Sequence, residues 1–216
     1  MAMRMYRRRR RIRRRRGPAV LGALLLFLVL AAAGFAADDG GHDHGTAAEG
    51  ATPTAEEQAA ADQFVADVTQ AAARFEEFAV AKDEGYFRIT PEIFAAHYVN
   101  PIYASDDVYL DPEKPEALVY LKTRDGERHL LGVMFLAPIG EGPTPGGSLT
   151  HWHAHEGMCV GPTGVGEQDA AGACSPGLFP IRTEMLHVWT FGHPDGPLAE
   201  ELGRDGLIAA YRTFGR

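Results

Sequence analysis

The residues with the most chemistry in this chain are His151-Trp152-His153-Ala154-His155-Glu156. Three histidines alternate with other residues, and in an extended strand positions i, i+2 and i+4 share one face. Neighbours in such a row lie about 7 Å apart at Cα, close enough for two neutral imidazoles to lean onto one ion. The outer pair would be about 13 Å apart, so three ligands from one strand is awkward geometry. The expectation is two members of the row plus a ligand from another strand. If the segment were helical, His151 and His155 would pair instead at i, i+4.

His187, in Met185-Leu186-His187-Val188-Trp189, is the first outside candidate, because an unpartnered imidazole in an apolar strand is costly. His97 is a second, and Glu184 is a possible oxygen donor. Neutral imidazoles suit zinc or copper, and added methionine sulfur would favour copper. A three-histidine site with an open position would acidify a bound water. The plain alternative for each histidine is a hydrogen-bonded structural residue. His129 and His193 lie beside turn residues and read as solvated.

Cys159 and Cys174 are the two cysteines. In an oxidising compartment they would form a disulfide, stabilising the fold by about 3 kcal/mol in the chain-entropy picture. The rival reading makes Cys159, four residues after His155, a thiolate ligand.

Compartment follows from the N-terminus. Residues 1–18 hold ten arginines and no acid, and 19–37 is an uncharged apolar run centred on Leu24 to Leu30. Such a run just suffices to span a bilayer, with the arginines left inside. A signal peptide has the same layout with a shorter apolar core and a small-residue cleavage site, for which Gly34-Phe35-Ala36 is a candidate. The outer part is therefore either anchored in the membrane or secreted after cleavage. Setting the ten arginines aside leaves 11 basic against 29 acidic residues, a net of −18, which argues against nucleic acid as a partner. No protein partner can be read from the chain.

The elements that must position these residues come next. Residues 38–53 read as a flexible linker, with a His42-Asp43-His44 tract able to pick up metal weakly. Residues 54–216 read as one α+β domain. Thr54 to Glu57 has the capping-box pattern, and apolar residues from Phe64 to Ala79 recur at helical spacing, giving one long helix ending near Gly85. Thr90-Pro91 would open a short helix through Ala96. Strand-like runs are 108–110, 117–122, 129–137, 149–160 and 184–191, with Asp125-Gly126 as a hairpin turn. Residues 161–180 are irregular, and 205–214 form a terminal helix. The architecture expected is the long helix on an antiparallel sheet, or a small half-open β-barrel.

Gly147 to His155 reads G-x5-H-x-H, which resembles the start of the first metal motif of cupins, small β-barrels with an internal metal. Cupins place a glutamate where this chain has Cys159 or Val160, and no second cupin motif stands around His187. A longer set of segments is His97-Tyr98-Val99-Asn100-Pro101, Pro115-Glu116-Ala117-Leu118-Val119-Tyr120, Leu131-Gly132-Val133 and Leu186-His187-Val188-Trp189, followed by Pro194 to Ala199. Their order resembles a group of exported bacterial proteins of unassigned function. That resemblance implies an extracytoplasmic domain and singles out His97 and His187 as residues that meet in the fold. P-loop, dinucleotide, G-x-S-x-G and H-E-x-x-H motifs are absent. Three functions fit: a tethered metal-binding domain, a metal-dependent cupin-like enzyme, or an interaction domain with structural histidines.

Overall fold

Alternation of apolar and polar residues along a strand gives a sheet two faces, and here both faces are apolar. The computed structural model describes residues 52–93 and 95–215. The arginine block, the apolar run 19–37 and nearly all of the 38–53 linker, with His42 and His44, lie outside the described residues. Among the described residues no helix is long and apolar enough to cross a membrane.

The chain opens with α1 (Ala55–Ala72). Thr54 caps it as expected: its hydroxyl accepts from the Glu57 amide, and the Glu57 carboxylate accepts from the Thr54 amide. The expected single helix is interrupted. A 3-10 turn (Ala73–Glu76) and an extended Glu77 separate α1 from α2 (Phe78–Asp83). The cause is tertiary: the buried Tyr120 hydroxyl donates to the Phe75 carbonyl at 2.7 Å, and the Phe75 ring is fully buried.

Five antiparallel strands follow in one sheet: β1 (Phe87–Arg88), β2 (Ala95–Val99), β3 (Ala117–Lys122), β4 (Arg128–Pro138) and, after three strands of a smaller sheet, β8 (Thr183–Trp189). Their spatial order is β1-β2-β3-β4-β8. The smaller sheet has β5 (Met158–Gly161) between β6 (Gly164–Glu167) and β7 (Phe179–Pro180). The chain ends with α3 (Gly203–Phe214).

Several local expectations are corrected. The helix expected from Thr90 through Ala96 does not form: residues 90–93 are a bent segment leading to strand β2, whose alternating burial marks a half-covered strand and whose His97 amide is bonded to Thr90 Oγ1 at 2.8 Å. Residues 108–110 form no strand, because Asp107 and Leu110 take left-handed φ values of 57° and 62°. The expected strand over 149–160 is broken by the Glu156-Gly157 turn, and only its end becomes β5. Residues 161–180 are not structureless, since they contain β6 and β7.

One face of the large sheet packs Leu118, Tyr120, Val133, Phe135, Leu186 and Val188 against Phe64, Val68 and Phe75 from the helical side. The opposite face carries Val119, Leu131 and Trp189 against α3, and Met134 and Met185 beyond them. Where β3 meets β4 the register slips: Tyr120 faces Leu130 but Val119 faces Gly132, so Leu131 is one additional residue. Such a bulge bends a strand and strengthens its twist. Glycine is required beside it, because a Cβ on Gly132 would lie 2.5 Å from the Val188 carbonyl oxygen.

Candidate metal centre

The His153 backbone forms a single bridge with Met185 at the free edge of β8, with hydrogen bonds of 3.0 and 2.8 Å in the two directions. That bridge aims the His153 side chain at the second face of the large sheet. Four residues later the chain turns at Gly157, which has φ 73°. His155, between the bridge and the turn, reaches the same spot. From the other side comes Glu201, just ahead of α3. Its Oε1 lies 3.2 Å from His155 Nε2 and 3.7 Å from His153 Nε2. Ligand atoms of these three residues all fall within 4.8 Å of one another, the one group of this kind among the described residues.

The expectation of two members of the row plus a residue from elsewhere therefore describes His153 and His155, but the third is neither His187 nor Glu184. Glu201 was not singled out from the sequence. Nothing in Ala199-Glu200-Glu201-Leu202 separates it from a solvated acid; its position is set by how α3 docks.

His151 does not join. Its Nδ1 faces Glu200 at 3.9 Å and its side chain is half exposed, because the row is not one regular strand and His151 precedes the bridge. Glu184 lies on the opposite face of β8 from His187, as an odd separation of three residues in a strand requires. It is buried and accepts from the Gly142 amide at 2.8 Å.

His187 and His97 do meet. They stand on β8 and β2, three strand spacings apart in order, which on a flat sheet is roughly 14 Å. Their ring centroids are nevertheless 6.0 Å apart, so this face of the sheet is concave. His187 stacks on His153 at 5.3 Å and on Trp189 at 4.9 Å, and Trp189 stacks on His193 at 5.5 Å. His193 is buried rather than solvated: it accepts from the Asp195 amide, and Gly206 of α3 leaves room for its ring.

Both ring nitrogens of His153 and Nδ1 of His187 are buried without a hydrogen-bond partner among the described residues. Buried polar atoms are normally satisfied, and leaving one unpaired costs about 1–3 kcal/mol. Burial accordingly holds His153 below the usual histidine range and His187 well below it, with His97 and His153 adding to the effect on His187. His97 is brought down to about 4, again by burial. His155 moves the other way, raised by its bond to Glu201. Burial alone would raise Glu201, but the hydrogen bond from His155 and the charges of the nearby imidazoles hold it below the carboxylate norm. A neutral His153 and an ionised Glu201 are the protonation states in which these groups ligate a metal, while His155 would have to give up the proton that its bond to Glu201 favours.

His155, Glu201, His97 and His187 also border a cavity of about 990 Å³ on the concave face. Its far wall is the small sheet, and the pair Cys159–Cys174 ties that wall, forming a disulfide with Cα atoms 5.8 Å apart. Cys159 is thus a bonded cysteine and not a thiolate ligand.

Comparison with protein-family models, curated proteins and solved structures returns no match for this chain.

Proposed function

We propose that this protein is a membrane-tethered, extracytoplasmic metal-binding domain that holds one divalent ion through His153, His155 and Glu201. The observation that carries the reading is His153: a buried imidazole with both nitrogens unpartnered, facing a carboxylate and a second imidazole. Two histidines and one carboxylate suit zinc, and also iron(II) with its two-histidine, one-carboxylate site; the hard oxygen donor moves the set away from copper. The tether is the apolar run 19–37, with the arginine block inside, and the disulfide fits an oxidising compartment. The curled sheet, covered on its concave side by the small sheet and α3, is read as a half-open barrel.

A second reading, a metal-dependent enzyme, is favoured by one specific feature. Three protein ligands leave coordination positions open, and the site borders a concave cavity, with Glu201 closing it from the exposed side. That is the layout of catalytic metal sites, whereas structural sites are closed.

The test is metal content of the purified full chain by mass spectrometry after loading with zinc or iron(II) and desalting. One ion per chain is expected in the wild type, with less than about a tenth of that in His153→Ala, His155→Ala and Glu201→Gln, since loss of a ligand should cost at least the roughly 10–100-fold that loss of an outer-shell partner does. His151→Ala and Glu184→Gln should retain the ion. A wild type that holds no ion, or a Glu201→Gln variant indistinguishable from it, ends the reading.

A further inference from the structure

The cavity beside the triad has a chemical character of its own. Its walls are mainly apolar and include Met134, Leu136, Met158, Met185, Trp189 and Leu207. Three of these six are methionines, whose unbranched, polarizable side chains adapt to irregular apolar shapes. At one end stand His155 and Glu201, two of the three members of the triad; His153 approaches from behind and does not border the cavity. Between that end and the apolar interior lies His187, which is 4 % exposed and borders the cavity with Nδ1 unpartnered.

An apolar space of this size in contact with water would be poorly satisfied, and ligand sites are concave, mainly apolar, and supplied with a few convergent polar groups. The groups here that can ligate a metal, His155 and Glu201, stand together with His187 close by, whereas the other polar residues of the lining, Thr90, Thr163, Arg182 and Thr183, offer no such set. A wholly polar molecule would leave the methionine and leucine walls bare, and a pure hydrocarbon would leave His187 Nδ1 unmatched.

Resting on the metal reading above, we propose that the cavity binds a small molecule with a mainly apolar body and a single metal-ligating polar head. The head sits at the His155–Glu201 end within reach of His187, and the body extends between the concave sheet and the small sheet. The wall opposite the large sheet is β5 and β6, where Val160 is half-buried and Val165 is exposed at the rim. These two residues touch the cavity and do not belong to the triad.

The experiment uses two probes with the same metal-binding head and different bodies, acetohydroxamic acid and benzohydroxamic acid, titrated calorimetrically into the zinc-loaded full chain. Benzohydroxamic acid is expected to bind roughly tenfold or more tightly, from burial of its ring. In Val160→Trp, which fills the space, and in Val165→Asp, which charges the rim without touching the core, that preference should fall below about threefold. Bound zinc per chain should stay at the wild-type level in both variants. Equal affinity of the two probes in the wild type overturns the proposal while leaving the metal site standing. A preference untouched by both variants overturns it as well, because the ring is then bound elsewhere. A wild type without zinc fails the metal reading itself and this proposal with it.

Discussion

The two faces of the large sheet are built from the same strands and differ in almost every other respect. Along β8, Leu186 and Val188 point at the helices and are fully enclosed among Phe64, Phe75, Tyr120 and Phe135. Met185, His187 and Trp189 alternate with them and point into the concave side. The helical face is aromatic and dense: Phe78 meets Tyr98 and Tyr120 edge to face at 5.1 and 5.0 Å, and the buried Tyr86 and Tyr120 hydroxyls donate to the Pro115 and Phe75 carbonyls. The concave face keeps open space, unpartnered imidazole nitrogens and flexible methionines. One face contributes stability by close packing; the other gives up stability to keep polar groups and room for a ligand. A fold of this size can carry the second only because the first is complete.

Two neighbouring residues on β4 sharpen that comparison most. Phe135→Ala should destabilise the chain by about 3–5 kcal/mol, whereas Met134→Ala, one position along and facing the cavity, should cost roughly 1–2 kcal/mol because open space already lies on one side of it. Urea unfolding measures both, and equal losses would mean that the concave face is packed as tightly as the other.

Acid gives the next largest effect. The folded state holds His97 at about 4 against 6.5 when unfolded, so the unfolded chain binds the additional proton between these values. Stability is then full above about pH 6.5 and falls as the pH drops towards 4, by roughly 3 kcal/mol from His97, with His187 and His153 acting in the same direction. Glu116, pushed up to about 8 by burial, works oppositely: its contribution is present below pH 4.5 and lost as the pH rises through 8. Unfolding measured from pH 7 to 4 on metal-free Glu116→Gln removes that opposing contribution, and comparison with the same chain carrying His97→Gln isolates His97. Identical profiles would show that the concave side admits water freely to His97.

The smallest effect has the opposite sign. His153→Leu removes two unpartnered buried nitrogens, so the chelator-treated variant should unfold with a gain of about 1 kcal/mol over the equally treated wild type. Destabilisation instead would show that the His153 nitrogens are satisfied without a metal.

What could be read from sequence divides along the same two faces. The capping box at Thr54, the helix through Phe64 and Val68 and the strands 117–122 and 129–137 follow from local periodicity, which close packing on the helical face reinforces. The helix break at Phe75 depends on a hydroxyl 45 residues away on Tyr120, and no local pattern contains it. At the candidate site, His153 and His155 were visible in their alternation. The assignment of Glu184 beside His187 overlooked the odd spacing that sends them to opposite faces. Glu201 was invisible because its place depends on how α3 lies against Trp189 and His193, a contact with no signature in the residues themselves.

The additional residue in β4 has a consequence for sequence change. Leu131 is the residue the ladder skips, so deleting it would leave Tyr120 opposite Leu130 and Val119 opposite Gly132 in an unbroken ladder: Val133 and Phe135 would keep the helical face and Met134 the cavity, but the strand would lose its bulge and the bend that goes with it. Every side chain would keep its face, and the sheet would lose part of the curl that makes room for the cavity. The curvature of this sheet is thus encoded by one additional residue as much as by composition. Homologous chains that share the pocket are expected to tolerate varied residues at position 131 but no insertion or deletion there.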